Sequence, residues 1–186
     1  MDEEAWRADR AREFASLNGR HVQSWIGVEF ALRENTPDAG PHVFRDPAVP
    51  CLQLWGLQAV LADGRFGIGT YQHHDCWGLW KDTDTRVQDP DHWREPHSGT
   101  RWRVLDDELP VGPITEVTVY GDEGVVAEVR LTIGGRPLLL VAGEADETWS
   151  GELQFLRLDE SVLAFTDPAK AAGMPWTTPR GRLEIL

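Results

Sequence analysis

Four histidines crowd one stretch of this chain, His73, His74, His92 and His97, with Asp75, Cys76 and Asp91 among them. Imidazole, carboxylate and thiolate are the ligand types of zinc and iron sites, and a long loop after a strand can fold such ligands together. The spacing fits no HxH, HExxH or CxxC pattern, however. Neighbouring side chains on a strand point to opposite faces, so at most one of His73 and His74 is expected to look inward. A divalent transition metal on His73, His92 and His97 is therefore an alternative, set against ordinary loop histidines.

Tryptophan is concentrated in the same stretch. Trp77, Trp80, Trp93 and Trp102 lie within 26 residues, and Trp149 and Trp176 follow. An indole offers a wide flat apolar surface with one N–H donor, which suits a ligand or a partner protein as well as a core. Trp102, inside a strand pattern, is expected in the core. Trp77, Trp80 and Trp93 sit in polar sequence beside His and Asp, and are expected to line a pocket or interface.

The acids make a third concentration. Between Val104 and Glu160 there are 13 Asp and Glu against Arg130, Arg136 and Arg157, so this segment holds −10 of the chain's formal −13. An acidic face attracts a basic partner and speeds its encounter, while also serving plain solubility. Within it the run 143–149 ends in a tryptophan, and Glu144, Asp146, Glu147 and Trp149 are candidate contacts. Glu144 and Asp146 have the chemistry of an acid–base pair or a hard-cation site, but no nucleophile motif accompanies them.

Other motifs exclude more than they suggest. There is no GxSxG and no P-loop, and the glycines of Gly64-Arg-Phe-Gly-Ile-Gly69 fall inside a strand pattern rather than before a helix. Cys51 and Cys76 are too few for a disulfide framework and read as structural thiols. A balance of 31 acidic to 18 basic residues argues against a phosphate backbone as the main partner. The longest apolar runs fall far short of the roughly 20 residues that cross a bilayer, and the acidic N-terminus does not resemble a secretion signal. The expected location is the cytoplasm.

The elements that must position these residues are mostly strands. Residues 2–17 are rich in helix formers, with Trp6, Phe14 and Leu17 on one side, and predict an amphipathic helix. Strict alternation from His21 to Leu32 predicts a strand. A proline-rich loop follows over 35–50, and the Asp63-Gly64 pair between apolar runs predicts a hairpin. Residues 75–100 read as a long loop with at most a short strand near 78–81, and long loops are often functional.

From 101 to 166 an antiparallel meander is expected, with strands at 114–120, 125–133, 136–142, 153–158 and 162–165. In its middle strand Glu128, Arg130 and Thr132 should face water. A tail over 167–186 adds a helical turn and an edge strand. The whole chain, 1–186, reads as one domain: mainly β, an antiparallel curled sheet, sandwich or open barrel with one N-terminal amphipathic helix.

The function expected from this pattern is a non-enzymatic binding protein, of immunity or accessory type and without cofactor, presenting an acidic, tryptophan-containing surface to a basic protein partner. The alternative is a small-molecule-binding barrel or a metal-dependent enzyme with the His/Trp-rich loop over its pocket.

Overall fold

The computed structural model describes residues 3–33, 42–93 and 99–186. Residues 34–41, at the start of the proline-rich loop, and His97 with its neighbours lie outside the described residues. The order is α1 (Glu3–Ala15), β1 (His21–Phe30), β2 (Leu52–Leu61), β3 (Gly64–His73), β4 (Cys76–Asp82), a 3-10 turn at Thr85–Gln88, and β5 (Thr100–Val104). Then come β6 (Gly112–Asp122), β7 (Val125–Ile133), β8 (Arg136–Glu147), β9 (Leu153–Phe165), α2 (Pro168–Ala172) and β10 (Glu184–Ile185).

The ten strands among the described residues belong to one sheet, and every pairing between them is antiparallel. The connections β2–β3, β6–β7 and β7–β8 are too short for anything but hairpins. The sheet also curls. β1 borders β2 along most of its length and meets β6 at His21↔Pro113 and Val22↔Gly112, so the path β1–β2–β9–β8–β7–β6 returns to β1. β3 and β4 branch away from β2, whose first residues pair β9 while Leu57–Leu61 pair β3.

Two apolar clusters explain why the central strands are hydrophobic on both faces. Leu138, Leu140 and Ala142 of β8 join the main cluster, which α1 enters with Ala11 and Phe14 and the turn after it with Leu17. Leu139, Val141 and Ala145, at the alternate positions, join a second cluster with Phe155, Phe165 and Ala171 of α2. Trp25 is the largest fully buried side chain, and its indole N–H donates to the Pro110 carbonyl at 2.7 Å, so no polar atom is stranded. No helix among the described residues is long and apolar enough to cross a membrane.

The structure corrects several expectations. The stretch from 75 is not a loop throughout: β4 pairs β3 from Gly67↔Asp82 to His73↔Cys76. Gly78 makes this possible, since a Cβ there would stand 2.6 Å from Cβ of Val125 on the strand that β4 packs against. β8 runs on through Glu147, so the acidic run is largely strand. Glu128 does not face water but is 1% exposed, because the C-terminal tail crosses β7 and Arg180 lies on it, donating to both carboxylate oxygens. Trp102 is half-buried rather than core, and its N–H caps the 3-10 turn at the Val87 carbonyl, 2.9 Å away.

One irregularity bears on function. Where two strands were expected over 153–165, β9 is continuous, yet Arg157 pairs Gly143 and the next pair is Val162 with Ala142. Residues 158–161 therefore bulge out of the ladder, and Leu158 adopts a left-handed φ of 54°, which is costly for a branched side chain. The bulge is held by the Thr70 hydroxyl, which donates to the Glu160 carbonyl.

Candidate functional site

The tip of the β8–β9 hairpin is a firmly built turn. Gly151 N–H donates to the Thr148 carbonyl and Thr148 N–H to the Glu152 carbonyl, both at 2.8 Å, and Glu152 N–H donates to the Thr148 hydroxyl oxygen at 3.2 Å. Gly151 supplies the left-handed φ of 81° that the reversal needs. From outside the hairpin, Arg33 donates to the Gly151 carbonyl at 2.6 Å and to Glu147 at 2.5 Å, and reaches Asp46 at 3.4 Å. The Glu147 carboxylate, and Asp46 after it, outweigh desolvation and tighten the guanidinium's hold on its proton. The turn carries Trp149 at its apex, fully exposed.

Beside this tip runs a groove of about 460 Å³ between the hairpin and the end of β1. Phe30, Ala31 and Leu32 form one wall, and Glu144, Asp146, Glu147 and Trp149 the other. Glu144 and Asp146, two apart on β8, share a face, and Asp146 accepts from the Gln154 amide at 3.0 Å. All four candidates read from the run 143–149 thus line one groove.

A second cleft, about 220 Å³, lies across Phe30, which lines both. Its other lining residues are Trp55, Trp77, Gly69, Thr70, Asp82, and Glu160 and Ser161 from the β9 bulge. The tryptophans singled out in the sequence are therefore divided. Trp77 lines this cleft, Trp80 packs near Tyr71 at 6.0 Å between ring centroids, and Trp93 packs on Trp55 at 4.8 Å while its N–H donates to the Arg86 carbonyl.

The histidines are divided as well. His74 sits in the β3–β4 turn at φ 52°, which brings its ring to 4.4 Å from that of His73 rather than to the opposite face. His73 also stacks on Trp6, whereas His92 lies against Trp93, and His97 is outside the described residues. Among the described residues no group of three or more His, Cys, Asp or Glu is placed to hold a metal ion.

Pairing redistributes the acidic charge. Of the acids between Val104 and Glu160, Glu108 meets Arg45 and Arg103, Asp122 meets Arg157, Glu128 meets Arg180, and Glu147 meets Arg33. Sequence reasoning missed the densest of these networks. Glu29 on β1, 1% exposed, is surrounded by Arg45 at 2.5 Å, Arg101 at 2.5 Å and Arg103 at 3.3 Å. The available signals were a lone carboxylate between Val28 and Phe30 in an apolar strand, and the i, i+2 spacing that puts Arg101 and Arg103 on one face.

The thiols have a structural setting. Cys51 packs on the second cluster, and burial pushes its thiol up to about 12 despite Arg45 nearby. Cys76 is raised by burial first, then by Glu123, Asp75 and Asp122. A disulfide-exchange reagent at about pH 8 is expected to label both slowly in the native protein and rapidly in urea, since the thiolate is the reactive form. Fast native labelling of Cys51 would contradict this setting. Comparison with protein-family models, curated proteins and solved structures finds no match to this chain.

Proposed function

We propose that this chain is a non-enzymatic binding protein of immunity or accessory type, acting in the cytoplasm, that docks a basic protein partner on Trp149 and the acidic groove beside it. One observation carries the reading: a fully exposed tryptophan stands on a turn fixed by backbone hydrogen bonds and by Arg33. An indole left in water forfeits its burial energy, and a rigid mount keeps the entropy of ordering it low, which is the economy of an interface anchor. Among the described residues Asp146, Glu147 and Asp46 outnumber Arg33 around it, so the groove favours a cationic visitor.

The test is capture from native-host extract on immobilised protein at low salt. A basic protein retained by the wild type, released by added salt and not retained by Trp149→Ala is the expected result, because screening weakens exposed charge pairs. Equal retention by wild type and variant, or no salt dependence, would count against the reading.

A further inference from the structure

The second cleft has a composition that fits one chemical group. It brings the indole-bearing Trp55 and Trp77 and Phe30 together with two acidic residues, Asp82 and Glu160, and with Ser161. Ser161 is 2% exposed as a residue and lines the cleft from the β9 bulge. Gly69 keeps the floor low, since a Cβ there would come within 3.1 Å of the Asp82 Oδ2 oxygen.

The bulge sharpens the case. Residues 158–161 leave the β9 ladder at a strained Leu158, and the consequence is that Glu160 and Ser161 join the lining. Bulges of this kind re-aim side chains next to sites. A planar guanidinium stacks on aromatic faces and presents its N–H donors to carboxylates and hydroxyls in a fixed fork, matching acceptors and rings together. The protein already makes such a contact at the edge of the cleft, where the Arg86 guanidinium lies 4.9 Å from the Trp55 ring centre and Trp93 packs on the same indole, so the incoming guanidinium is assigned to Trp77.

The geometry points to the second cleft as a pocket for an arginine side chain of the partner, on an extended segment that crosses Phe30 into the groove beside Trp149. This rests on the binding reading above and adds the partner's chemistry to it. Charge complementarity selects this occupant, since both clefts are lined by carboxylates on a chain of net charge −13.

The probe is acetylated tetra-arginine amide, with its tetra-citrulline counterpart as the uncharged control of the same shape. The readout is the set of indole N–H resonances, assigned by single Trp→Phe substitutions. Tetra-arginine is expected to shift the Trp55, Trp77 and Trp149 resonances together, and tetra-citrulline to shift none. Asp82→Asn and Ser161→Ala are each expected to weaken tetra-arginine binding about tenfold, with an unchanged melting profile confirming the fold. Shifts at Trp149 without Trp55 or Trp77 would overturn the arginine pocket and leave the binding reading standing. Equal shifts with tetra-citrulline would overturn recognition of the charge. If no indole shifts, the pocket is refuted, and the salt-dependent capture decides the Trp149 reading separately.

Discussion

Replacing Trp149 by alanine is expected to weaken partner binding by about 2 kcal/mol or more, a loss of roughly thirtyfold, because exposed aromatic anchors carry a disproportionate share of interface energy. The same substitution should leave folding almost untouched. Trp149 is fully exposed, and the turn beneath it is held by main-chain bonds, Thr148 and Arg33 rather than by its ring. Urea unfolding should therefore agree with the wild type within about 0.5 kcal/mol. The affinity loss belongs mainly in the dissociation rate, whereas Asp146→Asn should slow association and flatten its salt dependence. A Trp149→Ala variant that unfolds easily, or one that binds as well as the wild type, would show that the indole serves something other than an interface.

The largest effect on stability is expected at Glu29. Its carboxylate, 1% exposed, is the common partner of Arg45, Arg101 and Arg103, whose side chains are 42%, 44% and 31% exposed. Glu29→Ala would leave three guanidinium groups around an empty site. Removing one member of a buried ion pair typically costs 3–5 kcal/mol, and the partial exposure of the arginines places this case near the lower end, at about 3 kcal/mol. The network also fastens β5 and the segment around Arg45 to β1. Phe30, the wall shared by both clefts, follows Glu29 directly, so the variant should lose probe binding along with stability. Urea unfolding checks the first point, and a cost under about 1 kcal/mol would mean that Glu108 suffices for Arg45 and Arg103.

What was legible in the sequence was legible through periodicity. The alternation of Val22, Ile26 and Val28 marked β1, Asp63-Gly64 marked the β2–β3 turn, and the break between 125–133 and 136–142 marked the β7–β8 turn. Local signals failed where a distant element decided the outcome. Glu128 looked solvent-facing because its strand neighbours alternate, but a tail arginine more than fifty positions away covers it. Only the middle of β4 was legible, as a short strand near 78–81, because its residues show no clear hydrophobic–polar period and the β3 edge supplies the rest of its pairing.

The site shows the same division. Glu144, Asp146, Glu147 and Trp149 were found as a group because one hairpin carries them. Trp77, Trp80 and Trp93 looked like a group and were not, since β4 alternates and Trp93 is drawn to Trp55. The second cleft could not be read at all. It joins β1, β2, β3, β4 and the β9 bulge, and nothing in the linear order of Phe30, Trp55, Asp82 and Ser161 announces that they meet.

The central claim is that the β8–β9 tip is where a partner sits, and a photo-crosslinking residue placed at position 149 tests it inside the native host. The same residue at position 116, on an exposed part of β6, is the control. The account predicts one adduct with a basic protein from position 149 and none from 116. No adduct at 149, or the same adduct from both positions, would contradict it.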